Sequence, residues 1–202
     1  MNTKERLLNE RRMNPNGNDI PSHTQGLFDL IDYIGGINDK KICEVGSFRG
    51  VSSEVFLSHQ PKEATFVDIW GKDESYRQSN WAFDKKKIYW DEIKKEFIER
   101  VGRYKDKTII KVFHDYSDRA SLSADESSLD FVYLDGDHSK DAVIKDIENW
   151  LPKIKQGGFL CGHDYHPPVE DRVKDALDEF FGSEFIKENI ATFSDRSFAI
   201  KK

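Results

Sequence analysis

Residues 129–165, LDFVYLDGDHSKDAVIKDIENWLPKIKQGGFLCGHDY, constrain the fold of this chain more than any other segment. Two apolar runs of strand length bracket an amphipathic stretch, and a strand, helix, strand order implies parallel pairing through a crossover. Each run breaks at its carboxyl end into acidic and histidine residues: Asp135, Asp137 and His138 after the first, His163 and Asp164 after the second. Ligands of open α/β sheets bind beyond the carboxyl ends of the strands, so two adjacent parallel strands would deliver these groups to one place. A buried strand has no packing use for a terminal Asp-Gly-Asp-His. A divalent cation wants carboxylate oxygens, and a general base wants an imidazole.

The same alternation runs through the rest of the chain. Strands are expected at 41–45, 64–69, 108–113, 131–135 and 158–162, with helices at 24–34, 51–59, 90–104, 118–124, 141–151 and 169–181. Within the fourth of these interstrand helices, Val143, Ile147, Trp150 and Leu151 recur at helical spacing, and Val173, Ala176, Leu177 and Phe180 do so after the fifth strand. Two final runs, 184–191 and 197–202, are expected to form an antiparallel pair. The fold class is therefore α/β: a Rossmann-like, doubly wound, mostly parallel seven-stranded sheet with helices on both faces and an antiparallel C-terminal strand. Residues 1–25 are polar and Asn-rich and read as a mobile or capping arm, leaving 26–202 as one domain.

Composition removes several functional classes. A net charge of -6 supplies no basic field for nucleic acid, which is not expected as a partner. Apolar runs fall short of the roughly 20 residues of a membrane span, and the N-terminus MNTKERLLNERR has no apolar signal core. No membrane partner is expected, and a cytoplasmic location is the simplest reading. Cys43 and Cys161 lie inside expected buried strands, where a thiol acts as a small hydrophobe. His23 and His59 receive no role.

The first strand ends in Glu44-Val-Gly46-Ser-Phe-Arg-Gly50, a glycine turn that enters a helix. Glycines let the backbone turn sharply and approach a ligand, although G-x-G-x-x-G and a Walker lysine are both absent. About 20 residues on, Asp68 closes the second strand, where a carboxylate can accept both hydroxyls of a ribose. The connection 71–89 is long and aromatic, and Tyr76, Trp81 and Phe83 either stack on a ring or pack beneath the loop.

EVGSFRGVSS, VDIWGKDES, the 134–165 segment and VKDALDEFF together cover about residues 40–182 in order. In these pieces the chain resembles class I S-adenosylmethionine-dependent methyltransferases, in particular the small-molecule O-methyltransferases that act on macrolide sugars (macrocin-type, methyltransferase family 24) and polysaccharides. The resemblance implies S-adenosyl-L-methionine as cofactor, with Glu44, Gly46, Ser47 and Gly50 at its methionine end, Asp68, Ile69 and Trp70 at its ribose, and His114, Asp115 and Ser117 near its adenine. It implies a divalent metal, Mg²⁺ or a transition metal, on Asp135, His163 and Asp164, with His163 standing where relatives often carry a carboxylate. His138 is then the general base, leaving a free nitrogen for the acceptor proton, with Asp135 and Asp137 as its catalytic companions.

The resulting expectation is methyl transfer to a hydroxyl of a small molecule, a sugar or glycosylated metabolite, with metal assistance. N-methylation on the same fold and a non-catalytic nucleoside-binding domain stand as alternatives, as does a structural role for Asp137 and His138 in capping the following helix. Homo-oligomerisation stays open.

Overall fold

In the computed structural model, residues 2–13, 19–21, 24–72, 90–166 and 172–202 are described, the backbone alone for 11–13 and 19–21. Tyr76, Trp81, Phe83 and His23 lie outside them. The order is α1 (Thr3–Leu8), β1 (Arg11–Met13), β2 (Asp19–Pro21), α2 (Gln25–Tyr33), β3 (Lys41–Val45), α3 (Val51–Ser58), β4 (Glu63–Asp68), α4 (Trp90–Gly102), β5 (Ile109–His114), α5 (Ser117–Ser121), β6 (Leu129–Leu134), α6 (Lys140–Trp150), a 3₁₀ turn (Leu151–Lys153), β7 (Ile154–Gly162), α7 (Arg172–Phe181), α8 (Ser183–Asn189), β8 (Ile190–Thr192) and β9 (Phe198–Lys201).

Seven strands form one sheet in the order β5-β4-β3-β6-β7-β9-β8, and β1 pairs antiparallel with β2 apart from it. Pairing is parallel from β5 to β7, then antiparallel between β7 and β9 and between β9 and β8. The central strands are apolar on both sides because helices cover both faces. Strand periodicity splits the core: Ile42, Phe66, Phe131 and Tyr133 meet α1 to α4, whereas Cys43, Val67, Val132 and Leu134 meet α5 to α8. Both cysteines are free and buried, as small hydrophobes.

The C-terminal pairing departs from expectation. Residues 184–189 are helical, and only Ile190–Thr192 pairs with β9. Charge at helical spacing explains it: Lys187 reaches Glu184 at 2.6 Å while Ile186 alone turns into the core. β7 also starts earlier, at Ile154, and passes an irregular register between Leu129 and Phe131 of its partner β6. At the N-terminus, α1 buries Leu7, and Thr24 Oγ1 donates to Leu7 O at 2.9 Å. No helix among the described residues is long and apolar enough to cross a membrane.

Candidate active site

The chain leaves β3 toward β4 and β5 on one side, while β6 leads to β7 on the other, so the sheet's switch point falls between β3 and β6. Hydrogen bonds extend the ladder past the strand ends there. Asp135 N donates to Val45 O at 2.8 Å, Gly46 N to Val67 O at 2.8 Å and His163 N to Leu134 O at 3.0 Å. Gly46 has a φ of +90°, and a Cβ on it would overlap the carbonyl oxygen of Asp135. Only glycine lets the turn after β3 lie this close to the end of β6.

Four side chains meet at the ends of β6 and β7. His138 lies with Nε2 3.2 Å from Asp135 Oδ1 and Nδ1 3.2 Å from Asp164 Oδ2. His163 Nδ1 lies 3.2 Å from Asp164 Oδ1 and 3.8 Å from Asp135 Oδ1. Ligand atoms of Asp135, His138 and Asp164 all fall within 4.8 Å of one another, the one such grouping among the described residues. Asp164 takes a left-handed backbone, φ +59°, which an aspartate tolerates better than most residues.

The electrostatics are those of two imidazoles between two carboxylates. Burial opposes charge on His163, but Asp135 first and then Asp164 raise its pKa to about 9. The same opposition operates at His138, where the hydrogen bond and charge of Asp135 outweigh burial and raise the pKa. The hydrogen bond from His163 is the main cause that holds Asp164 down at about 2. At neutral pH the His163 imidazole thus supplies positive charge where a divalent cation would also be at home.

This geometry changes which histidine has a nitrogen to spare. Both nitrogens of His138 face carboxylates, contrary to the expectation of a free one, whereas among the described residues Nε2 of His163 has no hydrogen-bond partner. Asp137 is exposed and accepts from Ser139 N at 2.8 Å, a turn that leads into α6, so its carboxylate is not brought into the cluster.

Around the glycine turn, Asp68 accepts from Phe48 N at 2.8 Å and from Trp70 N at 2.7 Å, while Trp70 Nε1 donates to Phe48 O at 2.8 Å. Burial raises the pKa of Asp68 against these bonds, and each of its oxygens keeps a lone pair. Ser47 Oγ is buried without a well-formed hydrogen bond among the described residues. Glu44, expected at the methionine end of the cofactor, is fully enclosed. Its fully buried carboxylate accepts from the hydroxyls of Ser52 and Ser53 in α3, and burial pushes its pKa up to about 7.

The groups expected near the adenine separate. His114 Nε2 donates to Ile69 O at 2.8 Å, which leaves Nδ1 to accept from Lys94 Nζ at 2.8 Å, and Asp115 pairs with Lys72 at 2.7 Å. Ser117 instead turns toward α6. Its Oγ accepts from Trp150 Nε1 at 2.8 Å and bonds Asp146, whose pKa burial raises to about 6. Asp146 lines a cavity of about 10 Å³ with Gly136, Asp137, His138 and His163, and was not foreseen. The available signal was an acidic residue beside Val143, Ile147 and Trp150 on the inward side of α6.

A methyltransferase-domain family model matches residues 43–165. No curated protein matches the sequence as a relative. Among solved structures, the chain is similar to an O-methyltransferase from Bacillus cereus in complex with SAH, at 18% identity and a TM-score of 0.53 over 90% of this chain and 82% of that one. It is also similar to an rRNA methylase from Streptococcus thermophilus, at 13% identity and a TM-score of 0.54 over 87% and 94%, and to a precorrin 8W decarboxylase from Methanobacterium thermoautotrophicum, at 10% identity and a TM-score of 0.55 over 80% and 73%. Likeness at these identities is likeness of fold, and the three descriptions differ in chemistry.

Proposed function

Because the match over residues 43–165 makes this chain a member of the methyltransferase-domain family, we propose that it is an S-adenosylmethionine-dependent O-methyltransferase acting on a polyhydroxylated small molecule of the macrocin-type sugar class, with divalent-metal assistance. The observation that carries this reading is the meeting of Asp135, His138 and Asp164 within 4.8 Å at the ends of β6 and β7, next to the switch point, where the Gly46 turn lies against the Asp135 carbonyl.

S-adenosylmethionine is the family's usual cofactor, and the residues suit it. The turn at Gly46 brings the end of β3 against the end of β6, Ser47 Oγ has no well-formed hydrogen bond among the described residues, and Asp68 retains acceptor capacity for ribose hydroxyls. Two carboxylates with an imidazole suit a divalent cation, and the nitrogen tilts the set toward a transition metal. When bound, the cofactor supplies a methyl on a sulfonium and the cation acidifies and orients the receiving hydroxyl.

The chain's own residues then position the reaction and take its proton. The new bond joins the acceptor oxygen to the methyl carbon as the sulfur–carbon bond breaks, and the acceptor proton passes to Nε2 of His163. Asp164 holds that ring through Nδ1, the orienting arrangement a general base needs. Loss of the negative field of Asp135 brings the His163 pKa down from about 9 toward the working range, since that field is what chiefly raises it.

The test is a paired substitution. SAH formation is followed with a panel of sugar and polyol acceptors, with and without chelator. His163→Ala is expected to lose about 10²- to 10⁴-fold in kcat with metal affinity nearly intact. His138→Ala is expected to weaken metal binding, with activity recovering at high metal concentration. Full activity in metal-stripped protein would remove the metal from the reading, and exchanged phenotypes would return the base to His138.

A further inference from the structure

The turn that joins β8 to β9 lies against the acidic site and carries an arginine whose side chain has no hydrogen-bond or ion-pair partner among the described residues. Residues 193–197, Phe-Ser-Asp-Arg-Ser, close through Phe193 N to Ser197 O at 2.9 Å and Arg196 N to Phe193 O at 3.0 Å. Tyr165 N donates to Arg196 O at 3.0 Å, which fastens the turn to the loop that bears His163 and Asp164.

The turn is firmly anchored from below. Buried Asp195 accepts from Ser197 N at 2.9 Å and Ser197 Oγ at 3.0 Å, and Tyr133 Oη lies 2.8 Å from the same hydroxyl. Asp195 also fills the space over Gly26 in α2, where any Cβ would overlap its carboxylate. Arg196 sits on top with a φ of +73°, a left-handed backbone that favours glycine or asparagine and costs an arginine roughly 1–2 kcal/mol.

Among the described residues the guanidinium makes no hydrogen bond or ion pair, although the side chain is exposed and its charge is felt at Asp164. A counter-ion to Asp164 would have closed to within ion-pair distance, and it has not. Other cations near the strand ends are engaged: Lys72 with Asp115 at 2.7 Å, Lys94 with His114 at 2.8 Å and Lys140 with Glu179 at 2.5 Å.

We propose that Arg196 selects the acceptor by taking the oxyanion, carboxylate or phosphate, of an anionic sugar whose hydroxyl is presented to Asp135 and Asp164. The planar fork of a guanidinium matches either oxyanion with two parallel hydrogen bonds. An anion approaching two carboxylates needs a fixed cation beside them, and among the described residues Arg196 is so positioned and unspent. This rests on the methyltransferase reading for where the acceptor sits, but charge recognition can be measured without turnover.

Calorimetry on the full chain, with and without S-adenosylhomocysteine, compares D-glucuronate, D-glucose 1-phosphate and D-glucose on wild type, Arg196→Glu and Arg196→Lys. Wild type is expected to bind at least one anionic sugar about tenfold or more tighter than glucose, and the arm that responds tells carboxylate from phosphate. Arg196→Glu should erase that preference, and Arg196→Lys should keep part of it. Equal affinities for the three sugars in wild type, no binding of either anion, or a preference that survives Arg196→Glu would each overturn the proposal. Failure of the methyltransferase reading shows separately, as absent S-adenosylmethionine binding or SAH formation.

Discussion

A fully buried carboxylate such as Glu44 is tolerable only because it resists ionisation, and this gives stability a pH signature. Its pKa stands at about 7 in the folded chain against 4.5 for the free side chain, with burial as the main cause. Below pH 4.5 both states carry the proton. As pH rises from there to 7 the unfolded chain gives it up while the folded chain retains it, so Glu44 costs stability progressively, up to about 3 kcal/mol above pH 7. Denaturant unfolding of Glu44→Gln and wild type should therefore agree most closely near pH 4.5, and the variant should gain relative to wild type up to about pH 8. A difference that does not change with pH would mean that Glu44 ionises normally. Gly46 is constrained differently: with a φ of +90° and the Asp135 carbonyl against it, Gly46→Val should abolish S-adenosylmethionine binding measured by calorimetry and lower the melting temperature as well.

At the scale of elements, the ends of helices matter as much as the strands that carry the site. Glu54 of α3 is fully buried and receives Arg6 of α1 at 2.6 Å, Arg100 of α4 at 3.0 Å and Arg103 at 3.1 Å, while Arg100 also holds Glu10 and reaches Glu96 at 3.0 Å. Glu96 in turn pairs with Arg49 of the glycine turn at 2.5 Å. Removing one partner of a buried network leaves the remaining charge without compensation, so Arg100→Ala should lose about 3 kcal/mol or more in urea unfolding. A loss below about 1 kcal/mol would show the network to be a solvated surface feature. None of this was legible in the sequence, because glutamates and arginines on amphipathic helices read as outer-face charges until tertiary packing brings three helices together. The strands were legible, since parallel strands buried on both faces are apolar nearly throughout. The edge strand β5 shows the limit of that signal: Ile109 is 57% exposed despite an apolar sequence. The 184–189 helix was missed because one buried isoleucine is too little periodicity to tell a helix from a strand.

For the whole molecule, the acidic cluster is a point where folding, charge and cation binding are linked. The sequence placed Asp135, His138, His163 and Asp164 at neighbouring strand ends. It could not show which imidazole lies between the carboxylates, because that depends on the left-handed turn at Asp164 and on the close approach of the β3 and β6 ends. In the chain of net charge -6, His163, with its pKa near 9, carries a proton at neutral pH because Asp135 and Asp164 face it, and the same carboxylates favour protonation of His138. A cation such as Mn²⁺ on those carboxylates cancels the field that keeps the protons in place, so binding must expel them. Titration of Mn²⁺ at pH 7.5 in buffers of different ionisation enthalpy should show release of on the order of one proton per ion, with less release at pH 9.5, where His163 is already largely neutral. The sign follows from a raised imidazole pKa: affinity should strengthen as pH rises toward 9 and level off beyond it. The bound ion should also raise the melting temperature by mass action, and Asp135→Asn should remove the proton release and the thermal shift together. Mn²⁺ binding with no buffer dependence, or binding that survives Asp135→Asn unchanged, would place the ion elsewhere and leave the histidine–aspartate cluster as a self-neutralised hydrogen-bond network.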